Sequence, residues 1–77
     1  NDDARERPAR AGDEVSFTER ERAVLRLLGT FLTIEEIGTE LYVSRNTVKT
    51  HVRAIYQKLG VGERREAVRR ARELAQI

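Results

Sequence analysis

The sequence predicts an all-α fold, a bundle of four short helices behind a disordered N-terminal tail. Three observations point to it. Two capping boxes, Thr18-x-x-Glu21 and Thr33-x-x-Glu36, each open an apolar run with helical spacing. The stretch from Ser44 to Val61, SRNTVKTHVRAIYQKLGV, has two unlike faces on a helical wheel. Aromatic content is only 5% and there is no cysteine, while Leu, Val, Ile, Ala, Arg and Glu abound, which suits a small helical core.

Seventy-seven residues allow one small domain with a marginal core. Residues 1 to 16, NDDARERPARAGDEVS, hold the only proline, charges of both signs and no apolar periodicity. They are expected to be a disordered linker or tail, with the domain covering residues 17 to 77. The chain starts with Asn, as expected of a piece of a longer protein. Phe17 stands ahead of the first capping box as a hydrophobic staple, and Val24, Leu25, Leu27 and Leu28 supply the apolar face of helix one, from about Glu19 to Leu28. Helix two follows Thr33 with Ile34, Ile37 and Leu41 at i, i+3, i+7, ending around Leu41. Gly38 costs that helix about 1 kcal/mol relative to alanine, but lets the next helix approach closely.

Helix three is capped by Ser44 and closed by Gly60, a residue suited to the left-handed C′ position. With Val48 at zero, Val52, Ile55 and Leu59 fall within about 40° of it and form the core stripe. Asn46, Thr50, Arg53 and Gln57 gather on the opposite side with Lys49 on its shoulder, and no acid occurs from Leu41 through Gly62. Fifteen residues make a rod of roughly 22 Å, which fits a DNA major groove. The tight connection through Tyr42 and Val43 makes helices two and three a helix-turn-helix. Helix four runs from Arg64 to Leu74, with Ala67, Val68, Ala71, Leu74 and Ala75 apolar and Arg65, Arg69, Arg70 and Arg72 around them.

The net charge of +2 is unevenly placed. Residues 1 to 42 hold six Lys or Arg against ten Asp or Glu, and residues 43 to 77 hold nine against three. An anionic partner for the C-terminal half follows. The lone His51 and the absence of cysteine exclude the usual zinc patterns, and no nucleophile–base pair or glycine-rich phosphate loop is present. No cofactor and no enzymatic activity are expected. No apolar run reaches transmembrane length and no signal-peptide core is seen, so no membrane partner is expected. On the wheel His51 reads as a half-buried packing residue, and Tyr42 and Tyr56 as residues at the core edge.

FTERERAVLRLL, LTIEEIGTELYVS, NTVKTHVRAIYQKLGV and ERREAV together resemble the LuxR-type (GerE-type) helix-turn-helix domain. The densest part, S-x-x-T-V-K-x-H followed by I-x-x-K-L-G-V, is highly specific, and the resemblance spans roughly Phe17 to Leu74. It implies a cytoplasmic, bacterial DNA-binding domain of transcription regulators, usually C-terminal to a sensor or receiver domain. Lys49, Thr50 and Arg53 match the positions that approach base edges, the same residues the wheel turns outward. Thr33, Ser44, Arg45, Asn46, Thr47, Lys58 and Arg64 are the expected phosphate contacts, with Arg64 equally suited to carbonyls at the end of helix three. The family's fourth helix commonly dimerises, which here implicates Val68, Ala71, Arg72 and Ala75. The expected partners are therefore double-stranded DNA, a second copy on DNA and RNA polymerase.

Two departures from the family pattern matter. Phe31 stands where a glycine is usual before helix two, so the turn has to be built differently, with Gly29 the residue available for it. Glu35 and Glu36 stand where polar or basic groups are usual, which limits phosphate contact there to the Thr33 hydroxyl and nearby N–H groups. These same departures suit a rival reading, a helical protein-interaction module that has kept the fold without DNA binding.

Overall fold

A computed structural model describes residues 16–74 and residue 77. The tail expected over residues 1 to 16, apart from Ser16, lies outside the described residues, as does Ala75. Four helices and no strand occur among the described residues: α1 (Glu19–Leu28), α2 (Ile34–Leu41), α3 (Arg45–Leu59) and α4 (Arg64–Glu73).

The helix starts are decided locally. In each capping box the threonine hydroxyl accepts from the N3 backbone and the N3 glutamate accepts from the threonine N–H. The distances are 2.9 and 3.0 Å for Thr18–Glu21, and 3.1 and 2.8 Å for Thr33–Glu36. Ser44 Oγ accepts from Thr47 N at 3.1 Å and caps α3. Each such cap stabilises its helix by about 1 kcal/mol. The N-cap of α4, Glu63, makes no side-chain cap. Gly60 ends α3 in the left-handed conformation, as its position in the sequence predicts.

α3 is the centre of the packing, touching α1, α2 and α4, while α1 also meets α2 and α4. α2 and α4 make no contact with each other. Val24, Leu25, Leu28, Ile37, Val48 and Ile55 are the largest wholly buried side chains. Each contributes about 1.5–3 kcal/mol by leaving water. Phe17, Leu59, Ala67 and Ala71 complete the core. Gly38 is where α2 meets the start of α3: a Cβ there would lie 2.8 Å from the Val43 carbonyl oxygen, and Val43 N donates to Gly38 O at 2.9 Å.

Two turns differ from expectation. The α1–α2 turn contains no left-handed residue, Gly29 having φ −78°. Thr30 builds it instead, its hydroxyl donating to Leu27 O and accepting from Leu32 N. Phe31 is fully exposed. Tyr42, expected at the core edge, is 95% exposed. It caps α2 at φ 60°, ψ 40°, a left-handed conformation that disfavours any residue with a Cβ.

Candidate nucleic-acid interface

The two faces of α3 are realised. Val48, Ile55 and Leu59 are buried, whereas Arg45, Asn46, Lys49, Thr50, Arg53 and Gln57 are exposed. Two hydroxyls on or beside this outward side are already engaged: Thr50 Oγ1 donates to Asn46 O at 3.0 Å, and Ser44 Oγ donates to Thr47 Oγ1 at 3.0 Å. Lys49, Arg45 and Arg53 have no ion-pair partner among the described residues. Thr33 is exposed beside its own cap, and Thr47 is half-buried.

Val52 belongs to neither face. It is half-buried and lines a groove of about 480 Å³ with Ile34, Tyr56 and Val61, while Lys49, Arg53 and Gln57 border it. The core stripe predicted for α3 is thus narrower than the wheel suggests. Burial pushes the Tyr56 phenol above its ordinary pKa, with Arg64 opposing and Glu63 reinforcing the rise. Tyr56 therefore stays neutral at physiological pH. His51 is half-buried, as expected, beside Thr18, Glu19, Arg20, Glu21 and Ala54.

Two of the expected phosphate contacts are committed to the fold. Lys58 Nζ donates to Glu21 Oε1 at 2.6 Å and to Ser16 O at 3.0 Å, and lies 5.6 Å from the centroid of the Phe17 ring. Its ammonium neutralises a carboxylate that is itself buried, so moving it to a phosphate would take the paired charge from Glu21 and leave it the Thr18 N–H. Arg64 donates to Leu28 O at 3.0 Å, Thr30 O at 2.8 Å and Leu27 O at 3.5 Å. These are carbonyls at the end of α1 and in the turn after it, not of α3, and the guanidinium closes a turn that has no left-handed residue. Both side chains are thus engaged within the domain itself.

Of the residues expected at a dimer contact, Ala71 is the one that burial removes. Ala71 has no exposed surface, because α4 turns Ala67 and Ala71 into the core. Val68 is half-buried, and Arg72 is exposed. Ala67 and Ala71 share one side with Leu74, which leaves the arginines the outer one.

Residues 15–71 match the family described as "Bacterial regulatory proteins, luxR family". The chain belongs to the LuxR family. This LuxR-family domain is 47% identical over 61 residues to the HTH-type transcriptional regulator MalT of Yersinia pestis (strain Pestoides F), and 45% identical to that of Serratia proteamaculans (strain 568). Each match covers 79% of the chain and 7% of the relative, so the chain spans a small part of those regulators. Among solved structures it resembles the response regulator ChrA of a heme-sensing two-component system, with a TM-score of 0.80 and 34% identity over 87% of the chain and 33% of the other. Membership makes this a DNA-binding helix-turn-helix domain of transcription regulation. No helix among the described residues is long and apolar enough to cross a membrane.

Proposed function

We propose that this LuxR-family domain binds double-stranded DNA in a sequence-specific manner, with α3 in the major groove, as the C-terminal output domain of a larger cytoplasmic regulator. The observation that carries the reading is the exposed, acid-free side of α3, where Thr50 and Arg53 stand opposite the buried Val48, Ile55 and Leu59, with Lys49 exposed on the shoulder. A helix held this way presents its outer side to base edges without disturbing the core. Arg53 bonds O6 and N7 of a guanine, Lys49 takes a second base edge, and Thr50 packs on a thymine methyl. Thr33, Ser44, Arg45, Asn46 and Thr47 hold the backbone at the start of α2 and α3, where free N–H groups also face phosphates. Lys58 and Arg64 are left out of that set for the reason given by their partners. RNA polymerase is a further partner of the bound regulator, and a second copy occupies the neighbouring site.

Selection of bound sequences from a random duplex pool tests this. Enrichment of one short motif, with loss of selectivity at a single base pair in Arg53→Ala, is the expected outcome. Failure to enrich any motif would favour the interaction-module reading instead.

A further inference from the structure

We propose that neighbouring copies of this domain associate head to tail on DNA, the outer arginine stripe of α4 in one copy meeting the acidic outer face of α2 in the next. The inference rests on the DNA-binding reading, which is what brings copies side by side.

Arg65, Arg69 and Arg72 follow i, i+4, i+7 spacing and so lie within about 60° of one another over roughly 10 Å. All three are exposed and have no ion-pair partner among the described residues, whereas Arg70 pairs with Glu73 at 3.5 Å. Glu35, Glu36 and Glu40 are exposed on the outer side of α2, a helix with no basic residue at all. Glu36 is tied to the Thr33 N–H at the start of α2, so Glu35 and Glu40 are the carboxylates of this side that no cap engages. The two exposed aromatics left unexplained by the fold bracket this same helix, Phe31 before its start and Tyr42 at its end. Aromatic faces and carboxylates are the two surfaces on which guanidinium groups settle best.

The arrangement of the helices decides between self-pairing modes. α2 and α4 pack on the α1–α3 pair without touching each other, so the two charged faces do not close on one molecule. A two-fold α4 pair would set three arginines against three arginines, and the buried Ala67 and Ala71 offer it no close contact. A heterologous contact matches opposite charges at every step and repeats by translation, which suits direct repeats instead of palindromes. The domain measures 35 × 29 × 18 Å. Half-sites one helical turn apart are separated by about 34–36 Å, so adjacent domains come within reach. Three exposed ion pairs are too weak to hold a dimer free in solution, but suffice once DNA raises the local concentration.

The test titrates the chain on duplexes bearing one copy of the selected motif, or two as a direct repeat one turn apart. Wild type should fill the second site about tenfold more tightly at low salt, fading toward independence as salt rises. Arg65→Glu/Arg69→Glu alone and Glu35→Arg/Glu40→Arg alone should each fill the two sites independently, with helical content unchanged by circular dichroism. An equimolar mixture of the two variants should restore cooperativity, because each then offers the other an opposite charge. Unaltered cooperativity in Glu35→Arg/Glu40→Arg, or no restoration in the mixture, would overturn the proposal. So would a gain on mixing Arg65→Glu/Arg69→Glu with wild type at an inverted repeat, which is the mark of α4–α4 pairing. Independent filling by wild type with single-site binding intact sinks this proposal alone, whereas absent single-site binding sinks the DNA-binding reading with it.

Discussion

Lys49 and Lys58 are the only lysines in the chain and stand on the same helix, yet their surroundings have nothing in common. Lys49 is exposed on the outward side, bordering the groove. Lys58 is held against Glu21, Ser16 and Phe17. Nine residues turn a helix by about 900°, which puts the two ammonium groups half a turn out of phase. Arg53 and Arg64 repeat the contrast, one exposed, the other closed over the carbonyls at the end of α1. Positive charge near a recognition helix is therefore not one resource. Part of it is turned outward, and part holds together the scaffold that turns the rest outward.

Breaking the scaffold should have the largest effect. Ile55→Ala removes a wholly buried side chain and should lower stability by about 2–5 kcal/mol, seen in chemical denaturation. Val52→Ala, on the groove, should cost less than about 1.5 kcal/mol. Equal losses would show that the groove is core.

Arg64→Ala should come next, at about 1–3 kcal/mol of stability, because the carbonyls of Leu28 and Thr30 lose their donor in a turn without a left-handed residue. Below its melting temperature the variant should hold the selected duplex within about twofold of wild type. A steep loss of affinity with unchanged stability would return Arg64 to the phosphates.

Arg53→Ala should do the opposite, weakening the selected site by about 1–3 kcal/mol while leaving the melting curve in place. The salt dependence sharpens the same contrast. With Arg45, Lys49 and Arg53 as the outward cations, the slope of log K against log salt should be about −2.7. Lys49→Met should reduce its magnitude by about 0.9, whereas Lys58→Met should leave the slope alone and show itself in thermal stability. An equal change in slope from both lysines would erase the distinction between them.

The smallest expected effect lies in the turn between α2 and α3. Tyr42→Gly relieves a left-handed residue with a Cβ and should stabilise the domain by about 0.5–1 kcal/mol in denaturant titration. A loss instead would mean that the exposed ring makes a contact of its own in the folded domain.

What could be read directly from the residues was whatever is settled within one turn of chain. Both capping boxes, the Ser44 cap and the Gly60 stop join groups three or four positions apart, and each appears where the sequence puts it. Gly38 was legible for a similar reason, since a glycine inside a short helix ahead of a tight turn calls for close approach, and the Val43 carbonyl supplies it. The outward side of α3 followed from periodicity alone.

The remaining assignments depended on which surfaces meet. Lys58 reaches Glu21 across 37 positions and Arg64 reaches Leu28 across 36, and no local pattern names a partner that far away. Ala71 looked available to a second helix because a small apolar residue is compatible with either a core or an interface, and only the packing of α4 on α1 and α3 chose the core. Tyr42 looked like a core-edge aromatic until the backbone at the end of α2 turned it outward. Local hydrogen bonds and helical phase are properties of consecutive residues, so the sequence by itself determined where the helices start, stop and point. A long side chain's charge can be spent on the fold or offered to a partner, and that choice belongs to the tertiary structure, which alone decides what stands opposite it.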